Sequence, residues 1–79
     1  MYGVVERGMV VPPSRQIAAS LRDRIASGEY ASGTMLPSIV WLAGEFGVAT
    51  NTVRKALAIL RDEGLIESVA GYGTFVREP

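Results

Sequence analysis

Between Leu36 and Val76 the hydrophobic pattern changes period, and glycines mark the boundaries. Ile39, Val40, Trp41, Leu42, Ala43 and Phe46 form a dense apolar run that stops at Gly47. After a tight break at Gly47-Val48, a second run from Thr50 to Glu63 places Val53, Ala56, Leu57 and Leu60 on one side at helical spacing, and Gly64 ends it. Leu65 to Val69 then reads as a strand, Gly71-Tyr72-Gly73 as a hairpin tip, and Thr74 to Arg77 as the returning strand. Helix, tight turn, helix and β-hairpin in that order outline a winged helix-turn-helix, an arrangement that presents one helix to a DNA major groove with a hairpin beside it.

The rest of the chain completes such a domain. Residues Met1 to Pro13 form an apolar arm carrying Val4, Val5, Met9, Val10 and Val11, closed by the extended lead of Pro12-Pro13. Ser14 suits the cap of a first helix over Arg15 to Ser27, in which Ile17, Leu21 and Ile25 share a face and which Gly28 stops. Ser32-Gly33 is a turn, and Thr34 to Leu36 is long enough for one short strand ladder. Ser38 should cap the second helix, and Val48 should plug the turn between helices two and three. Ala49 cannot cap the third helix with a side chain; either Thr50 takes over as cap, shifting the helix start by one residue, or that amide is left for water or a phosphate oxygen. The expected fold is mostly α with a small β-hairpin: an arm over 1–13 and a winged-helix domain of three helices plus wing over 14–79.

Composition narrows the function. The chain has 79 residues, 48% of them hydrophobic, with neither cysteine nor histidine. One small core is expected, without disulfides or thiolate metal sites and without the commonest acid/base side chain. Asp23, Glu29, Glu45, Asp62 and Glu63 show no spacing that converges on a substrate, so no enzyme, cofactor or metal is expected. No apolar run approaches the roughly 18 residues that span a bilayer, and the N-terminus does not read as a signal peptide. A cytoplasmic protein fits, with no membrane partner.

Eight basic and eight acidic residues give a formal net charge of zero. Phosphate attraction is local, however, and is screened beyond roughly 10 Å in ordinary salt. From Thr50 to Arg61 the charges are Arg54, Lys55 and Arg61, with no acid among them. Asn51, Arg54 and Lys55 fall opposite the apolar stripe. An arginine can bond a guanine edge in two places and an asparagine an adenine edge, whereas Thr50 and Thr52 suit a phosphate or a thymine methyl. Ser38 can meet a phosphate beside its cap. At the tip, Gly71 and Gly73 let the backbone approach closely, and Tyr72 can lie along the sugar-phosphate edge. Thr74 and Phe75 read as structural, Phe75 packing inward. Val40 and Trp41 are adjacent and cannot both face the core, yet one of them should be buried; a half-exposed one, at the edge expected to meet DNA, can pack on sugar or bind protein.

The pattern Gln16-Ile17-Ala18, Leu21-Arg22, Gly28-Glu29-Tyr30, Leu36-Pro37-Ser38, Leu42-Ala43, Phe46-Gly47-Val48, Thr52-Val53-Arg54-Lys55-Ala56-Leu57, Glu63-Gly64-Leu65-Ile66 and Gly71-Tyr72-Gly73-Thr74-Phe75-Val76 resembles the DNA-binding domain of GntR-type bacterial transcription regulators. The resemblance runs from about Ser14 to Val76. It implies sequence-specific binding of double-stranded DNA, usually by a homodimer on a short palindrome, and a role as repressor. Such regulators usually carry a larger effector-binding domain after the DNA-binding part; no small-molecule effector site is expected in these residues, which read either as part of a longer protein or as a regulator reduced to its DNA-reading domain. Two positions depart from the pattern. Ile39-Val40 stand where the family usually has Glu-Arg, and Ala49-Thr50 where it usually has Ser-Arg. The alternative function is a winged-helix module that binds protein through its apolar arm and the Val40-Trp41 surface.

Overall fold

The computed structural model describes residues 11–78, so the arm expected over 1–13 lies outside them except for its last three residues. Three helices, α1 (Pro13–Ala26), α2 (Ile39–Phe46) and α3 (Thr50–Asp62), precede two strands, β1 (Ile66–Val69) and β2 (Gly73–Val76). This is the expected winged helix-turn-helix.

Helix α1 begins one residue before the expected cap. Pro13 occupies its first turn and Pro12 precedes it without a side-chain cap, so Ser14 lies inside the helix and does not cap it. The reason is that proline's fixed φ suits the first helical position, where its missing N–H would have had no partner. The amides of Arg15 and Gln16 donate to the Pro12 carbonyl at 3.0 and 3.1 Å. Ser38 caps α2 as expected, its Oγ accepting from the Trp41 amide at 3.1 Å. Gly47 closes α2 at φ +69°, a left-handed conformation that a side chain resists. The Val48 amide then reaches back to the Ala43 carbonyl at 3.0 Å, and Val48 packs against the core as the plug between helices.

At α3 the expected cap does not form. Ala49 keeps the extended cap conformation with no side-chain bond, and Thr50 is already the first helical residue. Packing sets that register: Val53, Ala56, Leu57 and Leu60 must all enter the core, and they are 0 to 4% exposed. A second correction concerns Val40 and Trp41, neither of which is buried; they are 73% and 56% exposed. The inward face of α2 is Leu42, Ala43 and Phe46, with Ile39 at its edge, and this 3.6-residue stripe leaves both neighbours outside.

The hairpin pairs Ile66 with Val76 and Val69 with Gly73. Residues Thr34 to Leu36 run along the other edge of β2, where Met35 forms an isolated bridge with Phe75. The Gly33 amide donates to Val76 and the Leu36 amide to Thr74, each at 2.8 Å, while the Val76 amide returns to Thr34 at 2.9 Å. Because successive strand residues face opposite sides, burial of Val76 turns Phe75 to the other face. Phe75 is half-buried between Glu67 and Met35 and does not join the core, contrary to expectation.

Two ion pairs tie the helices together. Arg22 grips Glu63 with Nε and Nη2 at 2.8 and 2.6 Å, linking α1 to the end of α3. Arg24, 6% exposed, is bonded twice to Glu45 of α2, at 3.1 and 2.9 Å, and once to the Tyr30 hydroxyl at 2.9 Å. Its guanidinium also stands 5.2 Å from the centre of the Phe46 ring. A charge held this way loses most of its water and depends on its partners, which keep its pKa well above the ordinary arginine value.

Two stability predictions follow from these pairs. Glu45→Ala strands the Arg24 charge and should cost about 2 kcal/mol, below the fully buried range because Glu45 is partly exposed. Adding Arg24→Met should recover much of that loss in urea unfolding; a double variant no more stable than Glu45→Ala would contradict the account. The Arg22 hydrogen bonds lower the Glu63 pKa from its ordinary 4.5. The pair's contribution is therefore fully present above pH 4.5 and is lost as pH falls through the lowered value. Thermal melts of the parent and Glu63→Gln should differ at neutral pH and converge in acid, and a constant gap across that range would refute the pair.

Candidate nucleic-acid interface

Helix α3 has two unlike sides. Its apolar side is consumed by the core, and Asn51, Arg54 and Lys55 are exposed on the other, as the helical period requires. Thr50 and Thr52 are half-buried. Among the described residues Arg54, Lys55 and Arg61 have no ion-pair partner. Of the two acids that follow, Glu63 is turned to Arg22, while Asp62 is exposed at the end of α3, seven residues on from Lys55.

The exposed face of α3 and the hairpin enclose an open groove of about 350 Å³, lined by Ile39, Arg54, Leu57, Ala58, Arg61, Ser68 and Thr74. Two cations and two hydroxyl-bearing residues thus converge on one concave surface. Of the expected site residues this groove includes Arg54 alone. From sequence, Arg61 reads only as one of the charges of the helix, Thr74 as structural, and Ser68 carries no expectation. Arg61 was within reach of periodicity, since seven residues bring a helix back nearly to the same face. Ser68 and Thr74 meet only because β1 and β2 pair them directly, which depends on the hairpin register.

A second, neighbouring groove of about 450 Å³ runs between the start of α2 and the hairpin tip. It brings Ser38, Tyr72 and Gly73 together, with Met35 and Val40 on its walls. Ser38 already accepts a bond from its own helix, which leaves its hydroxyl hydrogen available to donate. The structure does not gather all the expected residues into one place. Thr52 lies two residues before Arg54, about 160° away around the helix, so the pair cannot act side by side. Asn51, Thr52 and Lys55 line neither groove.

The tip glycines have internal reasons for being there. The Tyr72 amide closes a turn on the Val69 carbonyl at 3.0 Å, which puts Gly71 in the third position of the turn at φ +81°. That position favours glycine. Gly73 has φ +131°, and a Cβ there would stand 2.9 Å from the Met35 sulfur. Tyr72 projects between them, 73% exposed. Among the described residues no group of three or more acidic side chains is placed to hold a metal, and no helix is long and apolar enough to cross a membrane.

These features coincide with those of known proteins. Residues 13–76 match the model of the bacterial regulatory proteins of the gntR family. An uncharacterized HTH-type transcriptional regulator of Rhizobium meliloti (strain 1021), RB1450, is 49% identical over 73 residues, which cover 92% of this chain and 30% of that protein. The mannosyl-D-glycerate transport/metabolism system repressor MngR of Escherichia coli (strain K12) is 46% identical over 67 residues, covering 85% of this chain and 28% of the repressor. The chain therefore spans less than a third of the length of these two relatives. Among solved structures, AraR(DBD) in complex with operator ORX1 superposes with a TM-score of 0.86 at 32% identity, covering 92% of this chain and 93% of the other. With a family match over most of its length and the winged-helix geometry to go with it, this chain belongs to the gntR family of bacterial regulatory proteins.

Proposed function

We propose that these residues are the DNA-reading domain of a bacterial transcriptional repressor. Helix α3 enters the major groove of a short palindromic operator, with Arg54 and Asn51 toward base edges and Thr50, Thr52, Lys55 and Ser38 toward the backbone. The Gly71-Tyr72-Gly73 tip lies at the minor groove or the adjacent phosphates. The observation that carries this reading is the groove between α3 and the hairpin, where Arg54 and Arg61 converge with no acid in the lining. Unpaired cations on a concave surface attract a polyanion. The likeness to AraR(DBD), whose structure is a complex with an operator, supports the same use of the fold here, and the name of MngR supports repression.

Reading both halves of a palindrome places two domains about one helical turn, roughly 34 Å, apart. The working unit is accordingly a homodimer, at least on DNA. Its place is the cytoplasm, where the operator is. No step of this function calls for a cofactor.

Selection of bound duplexes from a random-sequence pool tests the proposal directly, and an enriched palindrome is the expected result. Within the enriched site, Arg54→Ala should weaken binding about tenfold to a hundredfold, the worth of one good arginine–guanine pair, while the melting temperature stays put. Unchanged affinity of a folded variant would remove Arg54 from the interface. The salt dependence gives a separate check. With two to four phosphates neutralised per domain, log affinity should fall against log salt with a slope of about −2 to −4, since each contact contributes about −0.9. A slope near zero would mean that the DNA backbone is not being held.

A further inference from the structure

The groove at the start of α2 differs from the arginine groove in chemistry although the two are continuous. Ile39, Leu57 and Thr74 line both. Yet the lining of the larger groove contains no charged side chain. Its apolar walls are open to solvent: Val40 and Tyr72 are each 73% exposed and Met35 is 55% exposed. Three of the six large exposed apolar side chains among the described residues, Met35, Val40 and Tyr72, gather here, and an apolar patch rimmed by polar residues is a candidate contact.

We infer that Val40 and Tyr72 pack against the deoxyribose rings of the DNA strand that lies in the groove of Arg54 and Arg61, giving this domain a component of DNA affinity that does not depend on salt. The inference rests on the DNA-binding reading above and adds to it the chemistry of a second contact. Three features select the sugar as occupant. A strand lying in the arginine groove must continue across its neighbour, because the grooves share a floor. No cation lines the second groove, so a phosphate there would go unneutralised, whereas the uncharged sugar edge matches apolar walls. The groove is concave, and a concave surface does not complement a second copy of itself.

The walls are also held in place before any contact is made. Val40 lies in the first turn of α2, which the Ser38 cap fixes through the Trp41 amide. The Tyr72 backbone is tied into the turn by its amide bond to the Val69 carbonyl at 3.0 Å. Ordering the walls on binding therefore costs little, and the apolar contact contributes nearly in full.

The test uses the full chain, fluorescently labelled random-sequence duplex DNA, and anisotropy titrations over a range of salt. Val40→Ser should weaken binding about tenfold, on the scale of losing one buried aliphatic side chain, with the salt slope unchanged. Val40→Arg should steepen the slope by about one unit, as one further phosphate is neutralised. Val40 is exposed, so both variants should melt as the parent does. If Val40→Ser binds as the parent at every salt concentration while Arg54→Ala binds weakly, the inference fails and the DNA-binding reading stands. If the parent does not bind duplex DNA, or Arg54→Ala is neutral while the parent binds, the reading itself is wrong at that surface and the inference falls with it. Sedimentation of the free chain supplies the last arm. Self-association that Val40→Ser abolishes would assign these walls to a second copy and overturn the sugar contact.

Discussion

Everything else in this domain depends on the apolar stripe of α3. Val53, Ala56 and Leu60 are wholly buried, and Leu57 nearly so, against Ile17 and Leu21 of α1 and Leu42 and Phe46 of α2. Burying four such positions along one helix sets both its rotation and its register. The opposite side is thereby turned outward with Asn51, Arg54, Lys55 and Arg61, and no other contact is needed to present them. The same packing explains why the helix tolerates an alanine at its cap position. The side-chain cap that is lost is worth about 1 kcal/mol, less than the burial of a single leucine.

The hairpin is oriented by a different device. Ile66 and Val76 anchor its base in the core, and the short segment around Met35 pairs with β2 on the side away from β1. Since that segment runs straight into Pro37 and the Ser38 cap, the position of the hairpin is coupled to the first turn of α2. The result is a nearly continuous concave surface made from α2, α3 and the hairpin. One part of it is cationic and the other apolar.

A formal charge of zero is misleading for such a surface. Two arginines are committed to internal structure, Arg22 to Glu63 and Arg24 to Glu45. Each pairing also removes an acid from the account. What remains exposed on α3 is Arg54, Lys55 and Arg61 with a single acid, Asp62, none of them ion-paired among the described residues. The local field follows from which charges are left unpaired, and the total says little about it.

Sequence alone determined the order of elements, the inward faces of α1 and α3, and the glycine-marked ends at Gly47 and Gly64, because helical period, proline and left-handed backbone are properties of neighbouring residues. The Ser38 cap and the Gly71-Tyr72-Gly73 turn were legible for the same reason, and so was the outward side of α3. Tertiary structure alone decided what these parts do together. It made Pro13, and not Ser14, the start of α1, kept Thr50 from capping α3, and turned Phe75 away from the core, since packing and strand pairing outweigh local preference at single positions. It left both Val40 and Trp41 outside, because Leu42, Ala43 and Phe46 already filled the face that α2 turns inward. And it brought Arg54 and Arg61 to one groove with Ser68 and Thr74, residues far apart along the chain, which only the closure of the hairpin against the end of α3 could make neighbours.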